Sequence, residues 1–219
     1  LRAPSLAPLD TKGNIVIAAS GDGKTAANAL LQSIMLRLLA TFPAGKARFT
    51  LFDPVGLGKN VAPFMQLPNP IITDDKAWTE QSHIEEQLKR LTEHMENIIQ
   101  KYLQHRYKTM EEYNARAGEV AEPYRFLVVT NFPVNFTTES AKRLLSIAQN
   151  GGTTGVHVLL TLDRDQPLPH GFVLDDLLRS ASVIEWEAGQ LTRKAEGNAF
   201  AYIPDVLPDH ALLDRIATA

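Results

Sequence analysis

Two hydrophobic periods alternate along the chain. Asn14-Ile15-Val16-Ile17-Ala18-Ala19 is an unbroken apolar run closed by Gly-rich punctuation, which is how a parallel strand covered on both faces reads. From Lys24 the period becomes helical: Ala27, Leu30, Leu31, Ile34, Met35, Leu38 and Leu39 recur three and four apart, and Pro43 ends the segment. Arg48–Phe52 predicts a second strand, ending at Asp53-Pro54 and followed by the loop Val55-Gly56-Leu57-Gly58. Residues 60–78 carry several prolines and little periodicity, so no element is predicted there. Ser82 and Glu85 have capping-box spacing and predict the start of a long helix. Its stripe of Ile84, Leu88, Leu91, Met95, Ile98 and Tyr102 suits a face packed on a sheet.

Arg125–Thr130 predicts the third strand, and Thr138–Gln149 a helix stopped by Gly151-Gly152. Val156–Thr161, Ala181–Trp186 and Ala199–Ile203 predict three more strands, and Asp209–Ala217 a closing helix. Strands alternating with helices predict an α/β fold with a mostly parallel sheet flanked by helices. The expected division is an N-terminal extension over 1–13, one domain over 14–203, and a C-terminal helix or linker over 204–219. The chain opens at Leu1 rather than Met, as expected of a piece of a longer protein.

Composition narrows the chemistry. Cysteine is absent, which excludes disulfides, thiolate metal sites and cysteine nucleophiles. The formal net charge of −3, from 22 basic and 25 acidic residues, gives no global attraction to nucleic acid or to an anionic membrane. A DNA contact would need a local basic stripe. Lys101, His105, Arg106 and Lys108 form such a cluster with Tyr102 and Tyr107, beside the simpler reading of a solvated helix face. No run of about eighteen apolar residues is long enough to span a membrane.

The most informative motif is Ser20-Gly21-Asp22-Gly23-Lys24-Thr25, at the junction of the first strand and the first helix. It fits the second half of G-x-x-x-x-G-K-[ST]; the first Gly position holds Ala18. Gly21 and Gly23 would let successive backbone N–H groups converge on a phosphate, and the helix N-terminus would add its positive end. Lys24 would reach the β- and γ-phosphates of ATP, and the Thr25 hydroxyl would ligate Mg²⁺.

On these residues the chain resembles the FtsK/SpoIIIE (FtsK–HerA) ATPases. Further landmarks occur in the family's order: Phe52-Asp53-Pro54; His94-Met95-Glu96 through Arg106-Tyr107-Lys108 to Glu112-Tyr113-Asn114; the Walker B strand Phe126–Val129; and Gly155-Val156-His157 leading to Thr161. The likeness extends to modules of FtsK-like and type VII secretion (EccC-like) proteins. It implies a RecA-like P-loop NTPase core, in a cytoplasmic domain whose parent is sometimes membrane-tethered, with no membrane contact of its own. The implied partners are neighbouring ATPase modules or a hexameric ring, and the implied substrate is double-stranded DNA or a secreted protein.

The resemblance breaks where the family places its Asp-Glu pair. Thr130 and Asn131 stand there, and neither can take a proton as a general base. Thr161 keeps the sensor-like position, but Leu162-Asp163-Arg164 follows it in place of Q-R-P. Asp53 or Asp163 offers an alternative carboxylate near a metal, against the plainer reading that Asp53 starts the Asp-Pro turn. Three functions follow: a nucleotide-binding module of a DNA translocase with weak or no hydrolysis, a nucleotide-silent scaffold or regulatory module of the same lineage, or a module of a type VII secretion EccC-like ATPase with a protein substrate.

Overall fold

The structure, a computed structural model, describes residues 13–104, 106–195, 198–205 and 208. The N-terminal extension before residue 13 and the closing helix expected at 209–217 lie outside them. The elements are β1 (Asn14–Ala19), α1 (Gly23–Thr41), β2 (Ala47–Phe52), β3 (Ile72–Trp78), α2 (Gln81–Ile98), α3 (Met110–Ala117), β4 (Tyr124–Phe132), α4 (Thr138–Asn150), β5 (Val156–Asp163), α5 (Leu174–Arg179), β6 (Ala181–Glu187), β7 (Gln190–Ala195) and β8 (Asn198–Ala201).

All eight strands form one sheet in the order β3-β2-β4-β5-β1-β6-β7-β8. The pairings from β3 to β6 are parallel, and β7 and β8 add an antiparallel end. The mostly parallel α/β architecture is therefore as expected, with β1 inside the sheet between β5 and β6. Side chains alternate across the pleat into two cores. Ile17, Phe49, Phe126 and Leu159 pack with Leu30, Leu31 and Met35 of α1. Val16, Leu127, Val129 and Leu160 pack with Leu88 and Leu91 of α2 and Leu144 of α4. The apolar stripe on α2 is this second face: Ile84, Leu88, Leu91, Met95 and Ile98 are all buried.

Three local expectations are corrected. Ser82 does not cap α2; Glu80 occupies the N-cap without a side-chain bond, and Glu85 instead accepts a hydrogen bond from Thr137 Oγ1 at 2.5 Å. The capping box lies at α4, where Thr137 and Ser140 exchange bonds. Residues 60–78 contain strand β3, an edge strand whose centre, Asp74-Asp75-Lys76, is exposed and carries left-handed φ at both aspartates, so its period is broken. A hairpin turn at Ala188-Gly189 creates β7, which the sequence reading missed.

His157 on β5 is buried at 1% exposure, with Tyr124 and Phe126 stacked on its ring, and both its ring nitrogens lack a partner. Burial lowers its pKa from 6.5 to about 4. The unfolded chain thus takes up the proton first, so stability conferred by the neutral ring is complete above pH 6.5 and is lost as pH falls toward 4, by as much as about 3 kcal/mol. His94 shifts the same way. His157→Phe is expected to reduce this acid slope without loss of stability at pH 7, since it removes two unsatisfied polar atoms. Urea unfolding at pH 5 and pH 7 checks both values.

Candidate functional site

The carboxyl ends of β1, β2, β4 and β5 converge where the phosphate loop is expected. β1 runs through Ala19, and α1 begins at Gly23, so only Ser20, Gly21 and Asp22 connect them. Ala18, at the first Gly position of the motif, is an interior strand residue paired with Leu162 and Glu185. Within the loop, Gly23 N–H donates to Ser20 O at 3.0 Å and Lys24 N–H to Gly21 O at 3.3 Å. These amides are engaged inside a tight turn rather than aimed at a common anion. Gly21 has φ +50°, which the turn requires. Gly23 is required for a different reason: a Cβ there would sit 2.3 Å from the indole ring of Trp186 on β6.

Lys24 points into the loop after β5. Its Nζ lies 2.8 Å from Asp163 Oδ1 and 2.8 Å from Asp165 Oδ2. Asp165 Oδ2 also accepts from Gly21 N–H at 3.0 Å, and Asp163 Oδ1 accepts from Asp165 N–H at 3.0 Å. One carboxylate oxygen thus receives both a loop amide and the lysine ammonium, contacts that an anionic phosphate would otherwise make. The bonds to Asp163 and Asp165 raise the Lys24 pKa above 10.5, and the bond from Lys24 lowers that of Asp165 below 3.8. Both groups are therefore charged throughout the neutral range. The crevice bounded by Lys24, Asn131, Thr161 and Asp163 has no room for a water molecule.

Beside this lock lies a second network. Asp53 is fully buried and accepts four hydrogen bonds: Gly56 N–H at 3.1 Å, Asn60 N–H at 3.0 Å, Asn60 Nδ2 at 2.8 Å and Thr130 Oγ1 at 2.6 Å. Asn60 Nδ2 also approaches Asn131 Oδ1 at 3.4 Å. Asn131, with φ +57°, donates its N–H to Thr161 Oγ1 at 2.8 Å, and Thr161 Oγ1 donates to Asn28 Oδ1 at 3.3 Å. Asn28 and Gln32, one turn apart on α1, bond back to Asn60 and fasten the loop after β2 to that helix.

The structure therefore gathers Lys24, Thr130, Asn131 and Thr161 at one end of the sheet, Lys24 in ion pairs with Asp163 and Asp165 and the other three in internal hydrogen bonds. The Asp53 carboxylate organises the turn through Gly56 and Asn60. Asp163 answers Lys24. Ser20, Gly21, Asp22 and Thr25 are exposed, whereas Gly23 is buried. Sequence reasoning missed Asn28, Asn60, Asp165 and Trp186; only the i, i+4 pair Asn28 and Gln32, polar in an apolar helix, carried a signal. The basic cluster is solvated where described, with Lys101, Arg106 and Lys108 exposed. Arg143 pairs with Glu139 at 3.4 Å.

ATP and Mg²⁺, which the motif implies, would have to displace contacts already made within this arrangement. Lys24 is already neutralised, two loop amides are used internally, and the one carboxylate next to Thr130 has its oxygens taken by protein donors.

A sequence profile described as the FtsK/SpoIIIE family matches residues 4–174. No curated protein matches. Among solved structures, EssC (ATPases 2 and 3) from Geobacillus thermodenitrificans is similar at 19% identity and TM-score 0.65, over 96% of this chain and 43% of that one. The pCW3 conjugation coupling protein TcpA, in a monomer form with ATPγS, is similar at 12% identity and TM-score 0.71, over 95% of this chain and 65% of that one. The cytoplasmic domain of the Thermomonospora curvata type VII secretion ATPase EccC gives 19% identity and TM-score 0.66, over 94% of this chain and 27% of that one. The chain thus spans less than two thirds of each of these proteins. No helix among the described residues is long and apolar enough to cross a membrane.

Proposed function

The chain belongs to the FtsK/SpoIIIE family, and from that premise we propose that it is a nucleotide-silent ATPase-like module serving as scaffold or regulator for neighbouring ATPase modules. The observation that carries this reading is the Lys24–Asp163–Asp165 lock: the one side-chain cation of the phosphate loop is held by two carboxylates of its own chain. A triphosphate would have to displace both while opening a three-residue turn.

The fold's likeness to proteins that contain several ATPases, of which this chain spans less than half in EssC, supports an adjacent module as the partner. The charge of −3 supports contact with protein rather than direct grip on double-stranded DNA. Likeness to a cytoplasmic domain of EssC supports a cytoplasmic location. A second reading, an ATP-binding module within a DNA translocase or secretion ring, draws on the 47% exposure of the Asp165 side chain, which leaves that half of the lock displaceable.

Calorimetric titration with Mg²⁺ and ATP separates the two. Silence predicts no saturable heat up to about 1 mM nucleotide, the upper end of ordinary enzyme affinities. Saturable binding in the micromolar range that Lys24→Ala abolishes would establish the second reading instead.

A further inference from the structure

Far from the phosphate loop, the amino ends of β2 and β4 carry an unbalanced pair of arginines. Arg48 and Arg125 are register partners on these adjacent parallel strands. Their flanking residues Ala47, Phe49, Tyr124 and Phe126 face α1, so the pleat turns both arginines to the opposite face, beneath α2. Both are part-exposed, yet Arg48 Nε and Arg125 Nε are each buried without a hydrogen-bond partner. On α2 the ring of His94 completes the group: its Nε2 is also buried without a partner, and the charges of Arg125 and Arg48 both bear on it. Half of the six unpartnered buried side-chain atoms among the described residues thus fall in this one place.

Among the described residues, neither guanidinium has a carboxylate within ion-pair distance. Glu122 is the acid whose charge acts on Arg125 and His94, but its carboxylate accepts the Tyr102 hydroxyl at 2.6 Å. Its backbone is clasped by Asn114, which receives Glu122 N–H at 2.9 Å and donates to Glu122 O at 2.9 Å. Arginine does not escape burial by losing its proton, so each Nε–H remains a charged, unsatisfied donor. A guanidinium is a planar fork that matches an oxyanion with two parallel bonds, and two forks side by side suit a tetrahedral oxyanion better than a single carboxylate.

We propose that Arg48, Arg125 and His94 form a binding site for an oxyanion of the phosphate class. Both arginines are part-exposed, so an anion can approach them from solvent. The site is separate from the loop that was expected to bind phosphate: Arg125 lies five residues before Thr130 on β4, roughly 17 Å of extended strand.

The test is a titration of the whole chain with inorganic phosphate at constant ionic strength, balanced with chloride, read by calorimetry and by the NMR shift of the His94 ring. Wild type is expected to bind saturably, and the His94 pKa to rise from about 4 as the anion offsets the arginine charges. Arg125→Gln and Arg48→Gln are each expected to weaken binding at least tenfold, with no loss of folding, because each removes an uncompensated charge. Arg48→Lys keeps the charge but loses the fork, and is expected to fall between them and wild type. Lys24→Ala is expected to bind phosphate as wild type does. Binding lost in Lys24→Ala, binding unchanged in the Arg48→Gln/Arg125→Gln double variant, or a response that chloride reproduces would each overturn the proposal.

Discussion

Asp53→Ala is expected to be the most destabilising single substitution at the carboxyl end of the sheet, lowering stability by about 3–5 kcal/mol. The carboxylate is 0% exposed and serves four donors: two backbone amides, the Asn60 side chain and the Thr130 hydroxyl. Removing it leaves all four facing a void in a dry environment, and an unsatisfied buried donor costs about 1–3 kcal/mol. Partial relaxation of the loop toward water keeps the total below the sum. For a domain of this size that loss corresponds to a fall in melting temperature of about 10 °C. Asp53→Asn is expected to be intermediate, because its amide keeps one acceptor but sets an N–H₂ against donors. Differential scanning calorimetry of the three proteins, with and without Mg²⁺, decides between a structural and a metal-binding carboxylate. If Asp53 were held for a metal, Asp53→Ala would leave the metal-free melting temperature nearly unchanged and would abolish a Mg²⁺-dependent rise seen in wild type.

Asp53 also shows what was legible in the sequence and what was not. The parallel strands β1, β2, β4, β5 and β6 were readable because each is a short apolar run at the right separation, and the helical stripes named buried faces: Ile84, Leu88, Leu91, Met95 and Ile98 on α2, and Ala27, Leu30, Leu31 and Met35 on α1, where Ile34, Leu38 and Leu39 are half-buried. The phosphate-loop motif put Lys24 at the junction of β1 and α1, and the family resemblance put Thr130, Asn131 and Thr161 at the ends of the strands that meet there. What spacing could not supply is the direction of hydrogen bonds. That Asp53 is reached by Asn60 and Thr130 depends on a loop conformation with left-handed residues at Leu57 and Gly58. That Asp165 answers Lys24 depends on the chain turning back after β5, where Asp165 N–H bonds to the Asp163 side chain. Strand β3 stayed hidden because an edge strand with a bulge needs no apolar alternation, and β7 because the turn before it places Ala188 at positive φ, which no propensity favours.

Phosphate release from ATP by this chain is expected to stay below about 10⁻³ s⁻¹, at least a thousandfold under the usual floor for an enzyme near 1 s⁻¹. Two losses combine. Lack of a general base forfeits about 10²–10⁴-fold, and Asn131, at the position where the family resemblance expects a water-activating carboxylate, is committed through its N–H to Thr161 and its Oδ1 to Asn60. The cation needed at the γ-phosphate is committed as well, to Asp163 and Asp165. It follows that restoring the acidic pair, Thr130→Asp with Asn131→Glu, does not restore turnover. Thr130 Oγ1 lies 2.6 Å from Asp53 Oδ1, so an aspartate there sets two carboxylates against each other in a fully buried pocket, replaces a donor with an acceptor, and forces one of them to hold a proton. The double variant is therefore expected to melt lower than the parent while remaining inactive. Asn131→Glu alone, which leaves the Asp53–Thr130 bond intact, is expected to melt nearer the parent and to be equally inactive. Malachite-green phosphate assays run beside thermal melts of the parent and both variants distinguish the outcomes. A parent turning over at 1 s⁻¹ or more, or a double variant that gains activity without losing stability, would show that the lock opens under ATP and that the closed arrangement is only one state of a working site.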